Sequence, residues 1–247
     1  MVQASVGFQC PECVAQGRGT QRQPKRPGLG RQIGRSSATM LLIGAIVIAQ
    51  MLDSVLLGRV SGLLAYSGIA VQSGQVWRLL TYVVVSGNLL SLLLNGVVLW
   101  LFGRAMEDIW GKWRFLATFL LSGLGGAALL FAAGPLSAVM AGTSTGIIGL
   151  LAANAAVKLR AHDDVRPDLV MLAILVGFGV FSVVWAGIAD LGAILAGGAA
   201  GWLWGARPKG QVRRRGSMSA TDRLHVAGTA GIVLGCLIVA GIGFLIH

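Results

Sequence analysis

One serine, Ser144, stands in the run Gly142-Thr143-Ser144-Thr145-Gly146-Ile147-Ile148-Gly149-Leu150, which lies between two long apolar segments and opens a third. A serine at the mouth of a membrane helix, its hydroxyl turned toward the interior of a bundle, is suited to act as a nucleophile once a base takes its proton. The same run suits plain close packing, because Gly, Ser and Thr let membrane helices approach one another. The two readings are separated by the partners that the rest of the chain supplies. Asp190, in Ala189-Asp190-Leu191-Gly192-Ala193, is one candidate, because an acid within an apolar span is rare and is read by default as functional. Ser144, Asn95, Ser86 or Ser91 could satisfy its hydrogen bonds in a polar cavity. Alternatively Asp190 sits at a wetted helix start and acts as an N-cap. The histidines, His162, His225 and His247, fall at loops or ends and are not positioned to serve Ser144.

The elements that must hold these residues are membrane helices. Hydrophobic residues make up 55% of the 247 positions and charged ones 12%, with 37 glycines, and the mean hydropathy is +0.76. A soluble domain of this length has no use for such a balance, so the fold class is an all-α, polytopic membrane helical bundle. The net charge of +11 does not point to nucleic acid, because the basic residues alternate with apolar spans and form no single patch. The expected partners are the lipid bilayer and other membrane segments, with no nucleic acid.

Seven spans are expected, at about 39–57, 80–103, 115–133, 144–160, 168–187, 189–206 and 226–246, each near the ~20 residues that cross the hydrocarbon core. Asp53, near the end of the first, reads as interfacial and carries no function. Of the 20 Lys and Arg residues, Arg59 and Arg78 alone fall on one side; the rest lie in the N-terminal tail and the alternate loops, as at Arg104, Lys158 and Arg213. The positive-inside rule then puts the N-terminus in the cytoplasm and His247 outside. The domain plan is a basic cytoplasmic tail over 1–37, a six-helix core over 38–206, a basic cytoplasmic linker over 207–224 and a seventh helix over 225–247. Trp185, Trp202 and Trp204 read as belt residues or packing.

The tail is polar and rich in Gly, Pro, Gln and Arg, and reads as flexible. Cys10 and Cys13 in Gln9-Cys10-Pro11-Glu12-Cys13 have the C-x2-C spacing of a zinc knuckle, yet a structural zinc takes four ligands and no second pair lies nearby. The expectation is a partial or truncated knuckle, completed if at all by residues upstream of Met1 or by another chain. No cofactor is otherwise expected.

The chain resembles the rhomboid family of intramembrane serine proteases, in the bacterial form with six core helices plus one at the C-terminus. Residues 70 to 206 carry the likeness. Trp77-Arg78 looks like the family's Trp-Arg entry to the second helix. Glu107 through Gly111 and Phe115 is similar to its Glu-x-x-x-Gly-x-x-x-Phe turn, and Gly142-Thr143-Ser144 to its Gly-x-Ser. The tail resembles the cysteine-rich N-terminal segment of some bacterial relatives. The resemblance implies a Ser–His dyad and an oxyanion site, and a place in the bacterial plasma membrane. Carried over residue by residue, Ser144 takes the nucleophile position and Asp190 the general-base position, where the family has His. The second-helix pattern His-x4-His-x3-Asn falls on Ser86, Ser91 and Asn95, so only the asparagine is kept. Gly142 belongs to the same oxyanion group, and Thr145 stands where the family has Gly or Ala.

Those replacements bear on rate. Loss of one oxyanion donor costs ~10²–10³, and loss of a catalytic base or nucleophile about 10⁴–10⁶ elsewhere. An ionised Asp190 at membrane depth would itself cost at least ~2.5–3.5 kcal/mol on insertion scales. The expected function is a degraded member, a pseudoprotease that binds transmembrane segments of other proteins beside the fifth helix and does not cut them. The alternative is an active intramembrane serine endopeptidase that uses Ser144. A solute transporter fits the hydropathy but lacks paired broken helices in matching halves.

Overall fold

The computed structural model describes residues 2–3, 8–9, 37–182, 185–205 and 220–246, the side chains of 2–3, 8–9, 181–182 and 220–226 excepted. The chain divides into two units, Met1–Ser36 and Ser37–His247. In the first, β1 (Val2–Gln3) pairs antiparallel with β2 (Phe8–Gln9). Cys10, Cys13 and the rest of the basic tail up to Ser36 lie outside the described residues, as does the linker up to Ser219.

The second unit is built from long helices: α1 (Ala38–Val55), α2 (Leu89–Trp110), α3 (Lys112–Ala133), α4 (Thr143–Ala161), α5 (Arg166–Ser182), α6 (Ala186–Trp204) and α7 (Ala220–Ile246). Among the described residues, α1, α2, α3, α6 and the stretch Ala227–Ile246 of α7 are each long and apolar enough to cross a membrane unaided. The chain is thus an all-α, multi-pass bundle.

The second helix departs from the expected 80–103. Residues 78–84 form two short turns, Val85 is extended, and α2 starts only at Leu89. The local cause is Asn88, whose side chain accepts the Ser91 amide at 2.7 Å and caps the helix. From there α2 runs through a π turn at Leu99–Gly103 to Trp110. Gly111 then breaks the path at φ +83°, a conformation glycine takes without strain, and α3 begins at once. The last helix starts at Ala220, inside the stretch expected to be linker.

The core follows from small residues. A Cβ built on Gly192 would sit 2.4 Å from the Gly125 carbonyl oxygen, one on Gly197 2.2 Å from that of Gly149, and one on Gly201 2.2 Å from that of Ala153. Backbones therefore meet where α6 crosses α3 and α4, and no larger residue fits there. Fully buried Phe115, Phe119, Leu130, Ile147, Ile148 and Leu151 fill the rest of this centre. α7 lies mainly against α3, with Phe244 on Phe131 at 4.8 Å between ring centroids.

Polar side chains tie the helix ends. At one end Glu107 of α2 accepts hydrogen bonds from the Ala38 amide (2.7 Å), the Thr39 amide and the Thr39 hydroxyl (both 2.9 Å), and also from the Ser37 hydroxyl, so it caps α1 from another helix. Arg160 donates to the Trp202 carbonyl at 2.7 Å and lies over that ring, while buried Trp204 donates to Thr118 at 2.9 Å. Trp204 is thus packing, and half-exposed Trp202 covers an end of the bundle. At the opposite end of α1, Asp53 accepts the Ser61 amide at 2.7 Å and orders the turn that follows.

Candidate functional site

Ser144 is the second residue of α4. The start of that helix is held by the short turn before α2 and the extended Val85 that follows it: the Gly142 amide donates to the Tyr82 carbonyl at 3.0 Å, and the Thr143 hydroxyl to the Val85 carbonyl at 2.9 Å. Gly142 must be glycine, because a Cβ there would sit 2.1 Å from the Tyr82 ring. The Gly142 amide, grouped from the resemblance with the oxyanion donors, is engaged by the Tyr82 carbonyl in this structure. The amides of Ser144 and Thr145 have no acceptor among the described residues, as expected for the first turn of a helix. They are the donors here that a developing oxyanion could use.

Ser144 itself is half-buried, and its hydroxyl makes no hydrogen bond among the described residues. Asp190 is 2% exposed and lies within α6, four residues beyond its first, so the wetted N-cap reading gives way to the intramembrane one. Its carboxyl engages the neighbour of the serine: the Thr145 hydroxyl lies 3.4 Å from Oδ1, at the outer limit of a hydrogen bond. The second oxygen, Oδ2, is buried and has no hydrogen-bond partner among the described residues. It faces α5, where a Cβ built on Gly179 would stand 3.0 Å from it.

The remaining site positions form separate pairs. Asn95, 4% exposed, donates to the Ser91 hydroxyl at 3.2 Å, one turn away on α2. Ser86, 5% exposed, points to the Thr143 hydroxyl at a long 3.4 Å. Among the described residues no hydrogen bond joins Ser144 to Ser86, Ser91, Asn95 or Asp190. The arrangement offers a hydroxyl, free helix-start amides and a carboxamide, and no base in contact with the hydroxyl.

The motif residues do structural work. Arg78 is buried and donates to the Gln75 side chain (2.7 Å), the Ala65 carbonyl (2.9 Å) and the Gly62 carbonyl (2.6 Å), which fixes the loop between α1 and α2. Trp77 beside it is half exposed, Glu107 caps α1, and Gly111 makes the turn into α3. No group of His, Cys, Asp and Glu able to hold a metal occurs among the described residues, and Cys10 and Cys13 lie outside them.

Two participants escaped the sequence reading. Tyr82 shapes the mouth of α4 and donates its hydroxyl to the Gly123 carbonyl at 2.8 Å, and Gly179 lets α5 approach Asp190. The Trp-Arg motif four residues earlier was the available pointer to Tyr82. Gly179 had none.

Residues 73–207 match the family model described as the rhomboid domain, more than half of the chain. The chain belongs to the rhomboid family. It is similar to the rhomboid protease GluP of Bacillus subtilis (strain 168), 32% identical over 114 residues that make up 44% of this chain and 22% of that protein. It is also similar to rhomboid-like protease 3 of Toxoplasma gondii, 31% identical over 136 residues, 52% of this chain and 51% of the relative. The chain therefore spans about half or less of the length of these two rhomboid relatives.

Proposed function

We propose that this rhomboid-family membrane protein is a pseudoprotease that holds transmembrane segments of other membrane proteins beside α5 and does not cleave them. The observation that carries the reading is the placement of Asp190: the Thr145 hydroxyl, not that of Ser144, lies 3.4 Å from its Oδ1, and among the described residues Ser144 has no hydrogen-bond partner to accept its proton. A serine hydroxyl without a neighbouring base is a weak nucleophile. Removing the base alone costs about 10⁴–10⁶ in comparable serine enzymes, and the loss of the oxyanion His at the Ser91 position works in the same direction. Capture fits the apolar surface of α5, which exposes Leu169, Val170, Ile174 and Phe178. By the positive-inside rule, the basic residues of the N-terminal tail and of the 207–224 linker favour the cytoplasmic side for both.

The relatives named as proteases supply the competing reading, in which Ser144 still cuts. A fluorophosphonate probe separates the two. Purified protein and its Ser144→Ala variant should label equally weakly, while a site-specific photo-crosslinker on α5 should trap membrane segments in both. Probe labelling that disappears with Ser144→Ala would overturn the proposal.

A further inference from the structure

Asp190 offers more than an absent base. Its Oδ2 is buried, has no hydrogen-bond partner among the described residues and points at the backbone of α5 near Gly179. A buried polar oxygen without a partner is costly, and a bound group that satisfies it gains in proportion. The two ends of α5 are held differently. At its start, buried Asp168 accepts from Asn154 (2.8 Å) and from Lys158 (2.6 Å), which pins α5 to α4. Near Gly179 the neighbours on α6 are small: a Cβ built on Gly187 would lie 3.0 Å from Val180, and one on Gly179 3.9 Å from Ala186. α5 is pinned at the Asp168 end by an ion pair and an amide, and among the described residues it meets α6 at the Gly179 end through close contacts of small side chains, so a segment that displaces α5 there would meet Oδ2.

Resting on the capture reading above, we infer that Asp190 anchors transmembrane segments that carry one uncharged polar side chain, Asn, Gln, Ser or Thr, at the depth of Ser144. The class follows from the chemistry of the site. A carboxyl in its neutral form both donates and accepts, which matches a carboxamide or hydroxyl. A cationic side chain would require both charges to be desolvated in the bundle, a penalty that their attraction does not reliably repay. The Thr145 hydroxyl lies 3.4 Å from Oδ1, which leaves Oδ2 as the oxygen without a partner among the described residues.

The test uses the full chain in lipid nanodiscs and a synthetic Leu/Ala helix that carries a fluorophore, with a single Gln stepped along it residue by residue. Binding of each segment is compared with that of the all-apolar parent. The expected preference for Gln is three- to fifteen-fold, the range of side-chain hydrogen bonds between membrane helices, and it peaks at one depth. Asp190→Ala should bring the ratio to one, and Asp190→Asn should retain a preference because it keeps shape and hydrogen bonding. A flat depth profile on the native chain overturns the inference even if Asp190→Ala does not fold. A Lys-bearing segment that outbinds Gln overturns the uncharged class. If parent and Gln helices bind alike, capture stands and the anchor fails; if neither binds, the capture reading fails and takes the anchor with it.

Discussion

Replacing Glu107 should unfasten α1. The carboxyl accepts from two buried amides, those of Ala38 and Thr39, 1% and 0% exposed, and from the hydroxyls of Thr39 and Ser37. An ordinary N-cap substitution costs about 1 kcal/mol. Here Glu107→Ala strands both amides away from water, at roughly 1–3 kcal/mol each, and removes an anion from the positive end of a helix. We expect a loss of about 3–4 kcal/mol, which for a chain of this size lowers the melting temperature by roughly 6–16 °C. Glu107→Gln keeps one acceptor oxygen and should fall about halfway. The assay is a thermal melt in detergent read by a thiol-reactive dye at half-buried Cys236, in a background with Cys10→Ser and Cys13→Ser. Exposed Asp108, next in sequence, gives the control, and Asp108→Ala should not move the transition. A shift below about 2 °C for Glu107→Ala would refute the cross-helix cap, since it corresponds to under 1 kcal/mol.

Gly142→Ala drives a methyl into the Tyr82 ring, and overpacking of this kind costs about 1–3 kcal/mol, to be read as a lower melting temperature that Tyr82→Ala partly restores. Arg78→Lys cannot reach Gln75, Ala65 and Gly62 together, so an added protease should cut residues 56–76 faster in the variant than in the parent. A single cysteine at Ser217 should react with a membrane-impermeant thiol reagent only after cells are opened, and labelling from outside would reverse the topology.

Much of the bundle was legible because lipid imposes two simple signals, apolar length and alternating charge. The start of α2 was not read from hydropathy, since Leu79, Leu80 and Val83 to Val85 continue an apolar run; the true boundary is the Ser86-Gly87-Asn88 break, where an Asn precedes Leu89 as caps do. Apart from Gln75 beside Arg78, the clamps of Arg78 and Glu107 use acceptors and donors that lie 13 to 70 residues away, and no local pattern announces them. The candidate site was half legible. The resemblance aligned Ser144 and Asp190, but the direction of the carboxyl depends on the rotation of α6 against α4, which is set by close backbone contacts such as Gly197 on Gly149. A spacing in sequence carries no such angle.

Thr145 is where that angle becomes chemistry. Its side chain is fully buried, and a Cβ on Gly126 would come within 2.6 Å of its methyl group, so Thr145 is wedged between α3 and α6 and cannot swing aside. An imidazole at position 190 is larger than the carboxyl it replaces. On one side it meets Thr145 and on the other the backbone at Gly179, already close to Oδ2. Asp190→His with Ser91→His should therefore leave a generic transmembrane substrate uncut, since the ring cannot turn to Ser144 past the threonine. Adding Thr145→Gly opens the path, and the triple variant should cleave measurably, with activity that vanishes on Ser144→Ala. A restored base is worth about 10⁴-fold or more, so partial recovery stands clear of background. If the double variant cuts as fast as the triple, Thr145 is no barrier. If the triple is silent while its fold and melting temperature are kept, then Ser144 is not oriented for attack, and the degraded-dyad account of this site is wrong.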